Sequence, residues 1–292
     1  MKPTDAAYVL LSNAVYIQAN SKVGPTAPPG WTLIDKSEPN PSGMYAAAFQ
    51  NNSTNEIVIA YEGTNLNNCA SISPTNLLFC SGQSLDDAAI TYGYNFEANA
   101  DALAFAKQVS AKFGQGGKIP IYVTGHSLGG EEAEYVDWKA SAVSGLTISG
   151  GDTFGAPGVP GFSGNGKSYN LTDYIYCGDR IGMYSAIGDS HVGNEIKIGS
   201  KSIVTEQNKL LASGNLSEIA QAGAWALSLH QLNNYAKYFR VTLPSTNSGG
   251  TSSLFNDVDF MNMITHPTLF SSGGVSGGRS SGDITLNSIC IC

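Results

Sequence analysis

Ile119-Pro120-Ile121-Tyr122-Val123-Thr124-Gly125-His126-Ser127-Leu128-Gly129-Gly130 is the stretch that decides the fold. A short apolar, partly β-branched run ends on Val123-Thr124 and meets a Gly-x-Ser-x-Gly at Gly125 to Gly129. From Leu128 to about residue 142 the spacing turns helical. Strand, tight turn and helix in that order give Gly-x-Ser-x-Gly a mechanical meaning: the serine sits on a strained turn whose neighbours must be small because adjacent strands lie close. Ser127 would then project its hydroxyl at the C-terminal edge of a sheet, with a helix N-terminus behind it to favour developing negative charge. It is the candidate nucleophile.

Outward from this elbow the chain alternates. Residues 5–18 carry Val9, Leu10, Ala14 and Ile17 at helical spacing behind a Thr4 or Asp5 cap. Strand-like runs follow at residues 31–34, 45–50 and 57–61, with turn-forming Asn51-Asn52-Ser53-Thr54-Asn55 between the last two, so the sheet begins antiparallel. Residues 95–113 predict a second helix. After the elbow come an apolar stretch ending at Thr153-Phe154 and the run Asp173-Tyr174-Ile175-Tyr176-Cys177, which leads into Gly178-Asp179. Strands alternating with helices imply parallel βαβ units, hence an α/β domain with one mixed sheet flanked by helices. Residues 195–204 predict a hairpin turning at Gly199-Ser200, and residues 216–239 are helical in pattern and contain His230. Residues 65–84 form a polar stretch around Leu77-Leu78-Phe79, too long for an ordinary connection, and predict a lid-like flap, the alternative being that these three residues pack into the core. One domain over residues 1–243 and a Ser/Gly-rich extension over residues 244–292 complete the organisation.

Composition excludes several classes. The chain has 292 residues, 42% hydrophobic and only 13% charged, so it holds ample apolar surface for a core. Its net charge of -8 has the wrong sign for a phosphate backbone, and no nucleic-acid partner is expected. No apolar run reaches the roughly 18 residues of a membrane span, and Met1-Lys2-Pro3-Thr4-Asp5 lacks the order of a signal peptide. Secretion is expected by a signal-independent route or from a form lacking its signal, with the cytoplasm as the alternative. Five cysteines make neither a disulfide framework nor a zinc spacing; Cys69 and Cys80 would pair only in an oxidising compartment, and Cys177 lies in an apolar run. Glu131, Glu132, Glu134 and Asp137 after the elbow read as ordinary partners of a helix dipole, so no metal and no cofactor are expected.

A serine hydroxyl needs a base to take its proton and an acid to orient that base. The chain has four histidines. His126 adjoins the nucleophile and cannot fold back onto it, which leaves His191, His230 and His266. For the acid, Asp179 follows a strand and a glycine, where the same sheet edge would present it. Asp152, Asp173 and Asp189 compete from less favourable positions, and the competing role for Asp179 itself is as a surface partner of Arg180.

Four motifs in order resemble those of the class 3 (fungal-type) lipases of the α/β-hydrolase superfamily. They are Ile57-Val58-Ile59-Ala60-Tyr61-Glu62-Gly63-Thr64, the elbow from Val123 to Gly130, Thr153-Phe154-Gly155-Ala156-Pro157-Gly158-Val159-Pro160-Gly161, and Gly178-Asp179-Arg180-Ile181. The resemblance spans about residues 8–241 and implies an α/β-hydrolase fold and a carboxylic-ester hydrolase acting on lipid or small esters, with transient contact at a lipid–water interface. It implies His230 as the catalytic histidine, because His230-Gln231-Leu232-Asn233-Asn234-Tyr235 resembles the family's later histidine before a helix. His191-Val192-Gly193-Asn194-Glu195 resembles its non-catalytic one. It further implies an oxyanion hole from the N–H groups of Thr64 and Leu128, and a lid carrying Leu77, Leu78 and Phe79. Glu62 and Gly158 stand where the family usually has arginine. A phospholipase A1-type enzyme, a soluble-ester esterase, an acyltransferase and a silent lipid-binding module are the alternatives.

Overall fold

In the computed structural model, residues 1–16, 24–38, 41–64, 97–164, 167–183 and 190–244 are described. Cys69, Cys80, Leu77, Leu78, Phe79, Asp189, His266 and the extension beyond residue 244 lie outside them. Seven strands form a single sheet in sequential order: β1 (Trp31–Lys36), β2 (Ala46–Asn51), β3 (Ile57–Tyr61), β4 (Ile121–His126), β5 (Gly151–Phe154), β6 (Leu171–Tyr176) and β7 (Asn194–Ile198). The first two pairings are antiparallel, with Phe49 opposite Val58 in the β2–β3 hairpin. From β3 to β7 the strands run parallel, Ile59 pairing with Val123 and Tyr174 with Ile196. This is an α/β-hydrolase architecture: a mostly parallel mixed sheet, covered by helices on both faces, with the Gly125–Gly129 turn at the end of a central strand.

Parallel strands are buried on both faces, which explains why Ile57–Tyr61 is apolar without alternation. Alternation nevertheless sorts the layers. Ile57, Ile59, Ile121 and Val123 pack on α2 (Glu97–Phe113) and α3 (Leu128–Ala140) through Ala102, Phe105, Val109, Ala133 and Val136. Val58, Tyr122, Phe154 and Tyr174 face α1 (Asp5–Ala14) and α6 (Leu232–Tyr238) through Tyr8, Leu11 and Tyr235. Each fully buried Val, Ile or Phe contributes about 1.5–3 kcal/mol to the core. Thr4 caps α1, its hydroxyl accepting the Ala7 N–H at 3.2 Å. No helix among the described residues is long and apolar enough to cross a membrane.

One expected element is different. Residues 195–204 are not a hairpin: β7 adds to the sheet parallel to β6, and α4 (Lys201–Ala212) begins where the second arm was expected. Gly199 and Ser200 do mark a turn, with Gly199 at φ +98°, but Ser200 caps the new helix by accepting the Ser202 N–H. The helical stretch at residues 216–239 is two helices, α5 (Leu216–His230) and α6, separated by an extended Gln231 at φ -61°, ψ 133°.

Candidate active site

Because β3 to β6 run the same way, the residues following their C-terminal ends meet on one edge. These are Gly63-Thr64 after β3, Ser127 after β4, Gly155 after β5 and Asp179 after β6. Ser127 adopts φ 59°, ψ -131°, a left-handed backbone that an L-residue holds only under constraint. Both flanking glycines are required. A Cβ on Gly125 would lie 2.1 Å from the Gly129 carbonyl oxygen, and one on Gly129 would lie 2.2 Å from that of Tyr61. The Ser127 N–H donates to the Phe154 carbonyl at 3.0 Å, tying the turn to β5, and α3 starts at once with Gly130 N–H donating to the Ser127 carbonyl.

Ser127 Oγ lies 2.8 Å from His230 Nε2, and His230 Nδ1 lies 2.9 Å from Asp179 Oδ2 and 3.1 Å from Oδ1. Since a carboxylate only accepts, Nδ1 carries the proton and Nε2 is left to accept from the serine. Asp179 is held by three other donors: the N–H groups of Ile181 and Gly182 on Oδ1, each at 3.1 Å, and the Tyr235 hydroxyl on Oδ2 at 3.0 Å. Burial and the adjacent carboxylate keep that phenol protonated, with its pKa well above the usual value. His230 is the last residue of α5. Asp179 and His230 are buried. Arg180 turns away, donating to Asn208 at 2.6 Å, so Asp179 is not its partner.

Gly155 had no function in the sequence reading beyond its place in a motif. At φ +58°, a Cβ there would lie 2.7 Å from both Asp179 Oδ2 and the Tyr235 hydroxyl, and 3.1 Å from His230 Nδ1. It leaves room for Asp179 and His230 to meet. Gly155→Ala is expected to push them apart and lower turnover by about 10²-fold, the usual cost of a misplacement near 1 Å; steady-state kinetics on a soluble ester would show it, and undiminished turnover would refute it.

Leu128 follows Ser127 directly and opens α3, and Gly63, the residue before Thr64, lies against the Ser127 side chain: a Cβ there would lie 3.2 Å from the Ser127 Cβ. Among the competing residues, Asp152 pairs with Lys2 at 3.2 Å, and His191 lies in a separate cluster.

That cluster corrects the reading of the acidic run after the elbow. Glu131, Glu132, Glu134 and Asp137 are all buried, because α3 is enclosed by the sheet and α2. Glu131 accepts from the Asn99 side chain of α2 at 2.9 Å. Glu134 faces His191 Nδ1 at 3.3 Å and Asp173 faces the same nitrogen at 2.9 Å. The Val192 N–H donates to Glu134 Oε2 at 2.8 Å, and the Thr153 hydroxyl reaches Asp173 Oδ1 at 3.0 Å. The two carboxylates raise the His191 pKa well above its ordinary value against the opposing effect of burial, so the imidazole is a buried cation. Burial pushes Glu134 up to about 7. Among the described residues this is the one group of three whose ligand atoms, within 4.8 Å of one another, could hold a metal. The Thr153 hydroxyl and the Val192 N–H already occupy one oxygen of each carboxylate.

Ser127, His230 and Asp179 thus form one hydrogen-bonded line at the C-terminal edge of the sheet. Among solved structures the chain is similar to a fungal lipase in an inhibitor complex, with 20% identity over 68% of this chain and 80% of that one, TM-score 0.49. It is also similar to Rhizomucor miehei triacylglyceride lipase, with 21% identity, 68% and 80% coverage and TM-score 0.46. The Lip2 lipase of Yarrowia lipolytica gives 15% identity, 67% and 77% coverage and TM-score 0.40. No protein-family model matches the sequence, and no curated protein matches it.

Proposed function

We propose that the protein is a serine carboxylic-ester hydrolase of the lipase type, cleaving acyl esters of acylglycerols. The observation that carries this reading is the continuous hydrogen-bonded line Ser127–His230–Asp179 at the C-terminal edge of the sheet. Ser127 Oγ attacks the ester carbonyl carbon as its proton passes to His230 Nε2, and Asp179 stabilises the imidazolium that forms. The developing oxyanion is received by the N–H groups of Leu128 and Thr64, each such donor typically contributing about 10²–10³-fold to turnover. Collapse of the tetrahedral intermediate breaks the bond to the alcohol, which leaves with the proton from His230. Water, deprotonated by the same histidine, then releases the acid and restores the serine.

Substrate class is tested by measuring hydrolysis of short-chain esters, long-chain acylglycerols and phosphatidylcholine vesicles across the solubility limit. The expected result is that acylglycerol cleavage rises when the substrate forms an interface. Cleavage of soluble short esters alone would replace the lipase reading with an esterase, vesicle cleavage would select a phospholipase A1-type activity, and no cleavage of any ester would overturn the proposal.

A further inference from the structure

His126, set aside at the sequence level because it adjoins the nucleophile, makes two short contacts with its ring. Its Nε2 lies 2.7 Å from the backbone carbonyl oxygen of His230, and its Nδ1 lies 2.8 Å from the Tyr16 hydroxyl. The two imidazoles pack with centroids 4.8 Å apart. A carbonyl oxygen can only accept, so Nε2 must carry the proton; Nδ1 is then a lone pair, and Tyr16 is the donor. Burial and the neighbouring His230 push the His126 pKa down to about 3, so the ring stays neutral while His230 cycles through its charged form.

The carbonyl concerned is a demanding one. It belongs to the last residue of α5, and Gln231 is extended, so the helix does not continue to supply a donor. His126 supplies it from the end of β4. The contact also crosses the fold: Tyr16 comes from the segment after α1, His126 from the strand leading to Ser127, and His230 from the C-terminal helices. Gly63 permits the approach, since a Cβ there would lie 2.5 Å from the Tyr16 hydroxyl and 2.4 Å from the His126 carbonyl oxygen.

We propose that Tyr16 and His126 are a positioning relay for the general base, Tyr16 fixing the tautomer of His126 and His126 anchoring the main chain of His230. The proposal rests on the ester-hydrolase reading given above. Asp179 orients the His230 ring through its side chain, whereas the relay holds the backbone from which that side chain springs. A ring free to move by about 1 Å loses its alignment with Ser127 Oγ, at a cost near 10²-fold in rate. If Tyr16 did not donate, the His126 proton could shift to Nδ1 and turn a lone pair of Nε2 against the carbonyl.

The test compares His126→Phe, His126→Gln and Tyr16→Phe with the wild type, using a soluble short-chain ester and the rate of serine labelling by a fluorophosphonate. His126→Phe keeps a ring but removes both hydrogen bonds, and is expected to lower kcat and labelling by about 10²-fold with little change in KM. His126→Gln keeps an N–H donor at similar reach and is expected to recover most of that loss. Tyr16→Phe removes one oxygen atom and is expected to lower kcat by about threefold to tenfold, the worth of one hydrogen bond. Wild-type kcat in a folded His126→Phe, or a His126→Gln no better than Phe, would overturn the relay and leave the ring as filler. Should His126→Phe fail to fold, unchanged kcat in Tyr16→Phe overturns it equally. A wild type that neither hydrolyses esters nor takes the label would instead refute the ester-hydrolase reading, and the relay would fall with it.

Discussion

Ser127→Ala and His230→Ala are each expected to lower ester turnover by about 10⁶-fold, and the double variant to lose no more than either alone. The two side chains share one proton across 2.8 Å, so removing either partner already disables the nucleophile. Asp179→Asn is expected to cost less, about 10⁴-fold, and for a reason visible in its surroundings. Oδ1 accepts the N–H groups of Ile181 and Gly182, so the asparagine oxygen must stay on that side. Its amide nitrogen would then face the protonated His230 Nδ1, where only an acceptor is useful. His230 would have to move its proton to Nε2, which could no longer receive the one on Ser127. Steady-state rates for the three single variants and the double one check this, and multiplicative losses in the double variant would show that Ser127 and His230 do not act as a unit.

The largest expected effect on stability lies away from the nucleophile. His191→Ala leaves Glu134 and Asp173 buried together without their cation, and breaking such a pair typically costs about 3–5 kcal/mol. The effect should depend on pH. His191 has a folded-state pKa raised well above the unfolded value of about 6.5, so its contribution is complete below that value and disappears as pH rises through the folded pKa. Glu134 moves in the same sense: its pKa rises from 4.5 to about 7, and the stability tied to its proton is lost across that interval. Denaturant unfolding of wild type and variant should therefore show the widest gap on the acid side of neutrality and converge in alkaline buffer. A gap that widened with pH would contradict the buried imidazolium. Adding Glu134→Gln and Asp173→Asn to His191→Ala should recover much of the loss, because the uncompensated charges are then gone.

That Ser127 and Asp179 would reach one sheet edge was legible because each sits in a glycine turn after a strand, whereas His230 ends a helix and was singled out only by the resemblance of its segment to a family motif. What was not legible depended on how separate segments meet. Glu134 sits in the first turns of a helix, where an acidic residue usually faces water, and only the enclosure of α3 by the sheet and α2 makes it a buried partner. Gly199-Ser200 signals a turn correctly, but the same pair suits a hairpin and a helix start, and the choice is made by β7 pairing in parallel with β6. His126 looked idle because the contact that gives it work returns from Tyr16, more than a hundred residues earlier. Gly155 could be seen as part of a motif, but its reason is the aspartate, tyrosine and histidine that converge over its missing side chain.

The sequential strand order has a consequence for synthesis on the ribosome. Each new strand from β2 onward lays itself beside the one made just before it, so the sheet can grow by its leading edge as the polypeptide emerges. A nascent chain that ends at β7 carries Ser127 and Asp179 but has no base, since His230 and the α6 tyrosine that braces Asp179 are made afterwards. On the proposed reading, hydrolytic competence would thus arrive only once the last two helices have been made, and a chain released before them would lack the base.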